Sequence, residues 1–162
     1  MSDRTLAKRY AKALLDVAVD ANKVRVIETQ VLAVAESYRT TKELRALLAH
    51  PKVRQAEKVN ILRTVFEPRV EKELLQFLLV VLRKRRIEFL PEIAEVYDQL
   101  ADEFEGLVRV DVASFAPLSP EERKRLLEAL SRLTGGKQVA LTEHEDKGLL
   151  GGVTVRIGDV LV

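Results

Sequence analysis

Residues 102–112 read DEFEGLVRVDV, and the periodicity of the chain changes inside them. Up to Phe104 apolar residues recur at the spacing of a helix. Beyond Gly106, Val108, Val110 and Val112 alternate with Arg109 and Asp111, the period of two that marks a half-buried strand. Gly106 is well suited to end the helix, since glycine takes the left-handed conformation of a C-cap without strain. This one switch predicts an α+β protein with helices before it and a small mixed unit after it.

Working backward, the segment before Gly106 reads as six helices over about Asp3–Asn22, Val24–Tyr38, Thr41–His50, Val53–Phe66, Val70–Arg86 and Glu88–Phe104. Thr40-Thr41-Lys42-Glu43 has the Thr-x-x-Glu spacing of a capping box and is expected to start the third. Pro51, Pro68 and Pro91 fall at helix starts or breaks. Short connections imply antiparallel neighbours, so this part is expected to be a six-helix bundle.

Working forward, Ser119-Pro120-Glu121-Glu122 places a serine N-cap, a proline at the first helical position and a glutamate at the third, and predicts a helix running to Leu133. Gly135-Gly136 breaks it. Val139 and Leu141 suggest a second strand, and Val153, Val155 and Ile157 a third, with a two-residue turn at Gly158-Asp159. The expectation is a β-α-β-β domain over 107–162, following a helical domain over 1–106.

Composition narrows the function. The chain has 162 residues, 47% of them hydrophobic and 32% charged, a formal net charge of +2 and no cysteine. Disulfides, thiolate catalysis and cysteine-ligated metals are therefore excluded. Residues 1–106 carry 19 basic and 17 acidic side chains and the rest 8 of each, so neither part has the charge bias of a polyanion binder. The longest apolar run, Phe77–Leu82, is too short to cross a bilayer, and the opening MSDRTLAKRY has no signal-peptide pattern.

The closing GLLGGVTVRIGDVLV, residues 148–162, is rich in glycine but leads into a strand and lacks the Lys-Ser/Thr pair of a phosphate loop. Its glycines read as backbone-shaping. His50 and His144 are the only histidines, and Glu143-His144-Glu145-Asp146 lacks calcium-loop spacing and reads as a solvated turn. Nothing nominates a catalytic triad or a cofactor site, so the chain reads as non-enzymatic and without cofactor. Arg83-Lys84-Arg85-Arg86 is the densest basic run. At the end of the fifth helix it faces the negative end of the helix dipole, and a nucleic-acid-binding accessory role is the alternative reading of it.

The fifth helix, Leu74–Leu82, is apolar on every side and needs cover all round. The first offers two stripes, Leu6, Tyr10, Ala13 and Val17 on one and Ala7, Ala11, Leu14, Leu15 and Ala18 on the other. Either both helices are central to the bundle, or a groove between them accepts an amphipathic helix from a partner.

Four segments in order, Arg9–Leu14, Arg86–Pro91, Pro117–Glu122 and Leu150–Asp159, resemble the delta subunit of F-type ATP synthase, the family that includes the mitochondrial oligomycin-sensitivity conferring protein. The resemblance implies a non-catalytic stator subunit. Its bundle would cap the catalytic head by taking the N-terminal helix of an α subunit between helices one and five. Its smaller domain would meet the C-terminal end of the b subunit in the peripheral stalk. Tyr10, Ala13 and Val80 match family positions at the head contact, and helical spacing extends the set to Val17, Phe77, Val81 and Lys84.

The implied location is peripheral, on the cytoplasmic face of a bacterial inner membrane, reached only through the complex and without nucleic acid. Where this chain has Asp146-Lys147-Gly148-Leu149-Leu150-Gly151-Gly152, family members commonly show Asp-Pro-Ser-Leu-Ile-Gly-Gly. They also continue past the last strand into a helix, so the stalk-proximal domain is expected to be truncated at Val162.

Overall fold

Ala7, Ala11, Leu14 and Ala18 recur at helical spacing and are all fully buried, which fixes the inner face of the first helix. The structure, a computed structural model, describes residues 3–158 and the backbone of 160–161. It divides into two compact units, Met1–Ala101 and Asp102–Val162, and is α+β as a whole.

The helices before Gly106 are α1 (Asp3–Asp20), α2 (Val24–Thr40), α3 (Lys42–Ala49), α4 (Gln55–Phe66), α5 (Lys72–Arg83) and α6 (Leu90–Glu105). Short 3-10 turns at Glu67–Arg69 and Ile87–Phe89 absorb Pro68 and lead toward Pro91. The core of the first unit gathers Leu14 from α1, Ile27 and Val31 from α2, Leu62 from α4, Leu74 and Leu78 from α5 and Ile93 from α6. One polar tie runs through it: the fully buried Tyr97 hydroxyl donates to the Val24 carbonyl at 2.8 Å.

Several expected helix boundaries shift by a few residues, two of them for a clear local reason. Thr40 is the last residue of α2, where its hydroxyl donates to the Glu36 carbonyl at 2.8 Å. Thr41 is the N-cap of α3 and makes no side-chain cap bond, so the expected capping box is absent. The i−4 carbonyl has taken the hydroxyl that the next helix would have used. Likewise α5 ends at Arg83 rather than Arg86, because Arg85 is left-handed (φ 59) and turns the chain out.

In the second unit Gly106 (φ +69) ends α6 and β1 follows (Leu107–Ser114), then α7 (Pro120–Leu133), β2 (Gln138–Glu145), β3 (Val153–Ile157) and β4 (Val160–Leu161). The sheet order is β2-β1-β3-β4, with β1 and β2 parallel and the other pairs antiparallel. A parallel neighbour needs a crossover, and α7 supplies it. Ser119 caps α7 through a complete capping box with Glu122. Val110 and Val112 of β1, Leu118 and Leu130 form the buried core against this sheet.

The two-residue β4 adds a strand to the expected β-α-β-β order. Of the expected terminal turn, Gly158 is left-handed (φ +58) and Asp159 lies outside the described residues. Gly151 and Gly152 also have positive φ and lead directly into β3, which leaves no helix N-terminus there to gather phosphate. Glu143-His144-Glu145 belongs to β2 and is not a solvated turn; Glu143 pairs with Arg123 of α7 at 2.9 Å. That pair holds the Glu143 carboxyl below its ordinary value and the Arg123 guanidinium above its own.

Candidate functional site

Helices α1 and α5 meet at Tyr10 and Phe77, whose rings pack edge to face with centroids 6.4 Å apart and planes at 72°. Just past the end of α1, the Lys23 ammonium reaches Glu71 at 3.3 Å and Glu73 at 3.0 Å at the start of α5. The end of one helix therefore lies beside the start of the other, and the two run antiparallel. A backbone N–H bond, then the Lys23 ammonium, holds the Glu73 carboxyl below its ordinary value. The bond to Glu73, reinforced by Glu71, holds Lys23 above its own.

This clamp is invisible to sequence reasoning. Lys23 lies 48 and 50 residues from its partners, and no local spacing links them.

On the outer face of this helix pair, Tyr10 and Phe77 are half-buried, Ala13 and Lys84 are exposed, and Val17 and Val80 are each 45% exposed. In α1, Tyr10, Ala13 and Val17 follow the i, i+3, i+7 spacing of one face, and in α5 Phe77, Val80 and Lys84 do the same. The result is an apolar strip centred on the Tyr10–Phe77 contact, with a lysine toward one end.

One expectation needs correction. Val81 is fully buried and faces the core, so it supports α5 from beneath instead of lining the surface. The small residues Ala7, Ala11 and Ala18 are also fully buried, so the helices of the same unit already pack against them. The cover that α5 needs is missing at Val80, which no helix among the described residues covers.

The basic run fails as a continuous helix face. Arg83 ends α5, Lys84 is its C-cap and Arg85 turns left-handed, so the run follows a bend in the backbone. His50 and His144 lie in different units, so neither unit holds a histidine pair for a metal. No helix among the described residues is long and apolar enough to cross a membrane.

Comparison with known proteins agrees with this architecture. The ATP synthase delta (OSCP) subunit family matches residues 6–162. The ATP synthase subunit delta of Desulforamulus reducens is 36% identical over 157 residues, which span 97% of this chain and 86% of that protein. That of Symbiobacterium thermophilum is 35% identical over 162 residues, 100% of this chain and 87% of the relative.

Among solved structures, a chain in the cryo-EM structure of the Toxoplasma gondii mitochondrial ATP synthase hexamer shares the fold, with a TM-score of 0.58 at 19% identity. The match covers 97% of this chain and 88% of that one. With the family match running through both units and relatives this similar along nearly the full length, the chain belongs to the ATP synthase delta (OSCP) subunit family.

Proposed function

We propose that this chain is a non-catalytic stator subunit that joins the catalytic head of an F-type ATP synthase to its peripheral stalk. The helical domain, a six-helix bundle over 1–106 on this reading, takes the N-terminal helix of an α subunit between α1 and α5. The domain over 107–162 meets the C-terminal end of the b subunit. The complex stands on the cytoplasmic face of a bacterial inner membrane, and the chain touches that membrane only through its partners.

The observation that carries this reading is the pair of exposed valines, Val17 and Val80, flanking the Tyr10–Phe77 contact on adjacent antiparallel helices. An exposed apolar strip between two helices is the surface that the apolar face of a third helix covers. Burial of apolar area supplies the grip, at ~25 cal/mol per Å² before the cost of association. Lys84, exposed near one end, tunes orientation and association rate more than affinity.

The mechanical logic follows from the position. Torque from the rotor turns the head unless an outer arm resists it, and a subunit held by both head and stalk transmits that resistance. Such a joint needs a durable interface and no chemistry.

Calorimetry of the full chain with a peptide of the α-subunit N-terminus tests the groove. We expect saturable binding that persists when salt is raised, since apolar contacts are screened far less than ion pairs. Absence of heat and of chemical-shift changes at Tyr10 and Val80, with the helical unit folded, would overturn it.

A further inference from the structure

A second groove of the helical unit, with a volume of about 300 Å³, runs between α2 and α6 and shares no residue with the α1–α5 strip. Tyr97, late in α6, bonds Val24 at the start of α2, while residues 32–39 of α2 line the groove with residues 91–98 of α6. The two helices therefore run antiparallel.

Each helix gives the groove one face. Leu32, Ala35, Glu36 and Arg39 follow the i, i+3, i+4, i+7 spacing on α2. Pro91, Ala94, Glu95 and Asp98 repeat it on α6. The floor is Ala35 and Ala94, both buried, whose short side chains leave the hollow, and Leu32 stands beside it 39% exposed. The floor is apolar and reachable from outside.

The rim is acidic. Glu36, Glu92, Glu95 and Asp98 line it against a single guanidinium, that of Arg39. The chain as a whole carries +2, so negative charge is segregated here and does not follow from composition. Arg39 is taken up by Glu36, and Arg4 of α1 reaches Glu95 at 3.7 Å; both pairs are exposed, where an ion pair holds weakly and exchanges readily. Glu92 meets no cation among the described residues. One turn before Leu32 on α2, burial, joined by the negative charge of Asp98, pushes the Glu28 carboxyl above its ordinary value in spite of Arg25 at 2.8 Å. Carboxylates at this end of the groove already oppose one another.

An apolar floor selects an aliphatic side chain, and an acidic rim selects cations while repelling nucleic acid, anionic lipid and acidic helices. We infer that the α2–α6 groove docks a basic amphipathic helix of a partner protein. An aliphatic side chain of that helix sits on Ala35 and Ala94, and lysines or arginines flanking it meet Glu92, Glu95 and Asp98. The α1–α5 strip has a lysine toward its end and this groove has carboxylates, so the two select helices of different charge, and failure of one assignment leaves the other standing.

The test is an NMR titration of the full chain, reading the backbone amides of Leu32, Ala35 and Ala94 against those of Tyr10 and Val80. The probes are a lysine-leucine amphipathic helical peptide about four turns long, its glutamate-leucine counterpart, and a lysine-serine peptide of the same charge. We expect saturable shifts at Leu32, Ala35 and Ala94 with the lysine-leucine peptide, weakening as salt rises, and binding at least about tenfold weaker for the other two.

The double variant Glu92→Gln/Glu95→Gln is expected to weaken the lysine-leucine peptide about two- to thirtyfold, from two exposed charge pairs, with the helical circular dichroism spectrum unchanged. Equal binding of the lysine and glutamate peptides, or wild-type affinity in the double variant, overturns the inference. Equal binding of the lysine-serine peptide shows a charged surface without a groove and overturns it as well, as do shifts confined to Tyr10 and Val80.

Discussion

Val80 and Val81 are neighbours on α5 with opposite surroundings, 45% and 0% exposed, and they separate docking from folding. Full burial of a valine side chain contributes about 1.5–3 kcal/mol. Covering the exposed 45% of Val80 with a partner helix should therefore contribute roughly 0.7–1.4 kcal/mol, or about three- to tenfold in Kd. Val80→Ala, which keeps the Cβ, is expected to weaken the α-subunit peptide by at most that factor. Val80→Asp leaves an uncompensated carboxylate in the interface and should cost at least about 100-fold.

In the free protein the same aspartate lies near the C-terminal end of α5, where a negative charge opposes the helix dipole by only ~0.3–1 kcal/mol. Val81→Ala reverses the pattern. It deletes about two buried carbons at ~0.8 kcal/mol each and leaves a cavity, for a loss of about 2 kcal/mol in stability. Peptide affinity, measured well below the melt, should change less than about twofold because Val81 does not reach the surface. Titration calorimetry and scanning calorimetry on the three variants give both numbers. Wild-type affinity in Val80→Asp, or equal weakening by Val80→Ala and Val81→Ala, would refute the groove.

Three further outcomes are expected. Tyr97→Phe removes the hydroxyl that bonds the Val24 carbonyl, which keeps its intrahelical N–H partner, and should cost about 0.5–1.5 kcal/mol in chemical denaturation; an unchanged midpoint would mean that the tie contributes no net stability. Ser119→Ala removes the capping box of α7 and should cost about 1 kcal/mol, seen as faster hydrogen exchange in the first turn of α7 with the helical unit unaffected.

The third concerns pH. The folded Glu73 value lies below the ordinary 4.5, so its stabilisation is present above 4.5 and lost as pH falls through the folded value. The folded Lys23 value lies above the ordinary 10.5, so its stabilisation is present below 10.5 and lost as pH rises through the folded value. Lys23→Met should therefore remove the alkaline limb that Lys23 contributes and flatten the acid limb only in part, since the backbone N–H bond to Glu73 remains; an alkaline limb as steep as in the wild type would exclude the clamp as its source.

What the sequence made legible was local. The switch of period at Gly106 lies within eleven residues, and the Ser119 box within four, so both are written in neighbouring side chains. Thr40-Thr41-Lys42-Glu43 satisfied the same capping rule and misled, because the hydroxyl also had the Glu36 carbonyl within reach one turn back. The end of α5 was overrun for a related reason. Its left-handed residue is Arg85, and without a glycine nothing in Arg83-Lys84-Arg85-Arg86 signals a stop. Contacts between distant segments, such as Lys23 with Glu73 or Tyr97 with Val24, have no local pattern at all.

The misplacement of Val81 has a more instructive cause. From Leu74 to Leu82 only Gln76 interrupts the apolar run, so hydrophobicity alone sets no rotational phase for α5. The polar residues do set one. Gln76 lies four before Val80, and Arg83 and Lys84 lie three and four after it, so all three share its face; all are exposed. Val81 instead shares its face with the fully buried Leu74 and Leu78, seven and three residues earlier. Phase taken from the few polar markers turns Val80 outward and Val81 inward. In a helix this rich in leucine, the rare polar residue therefore locates the exposed face better than the apolar majority does.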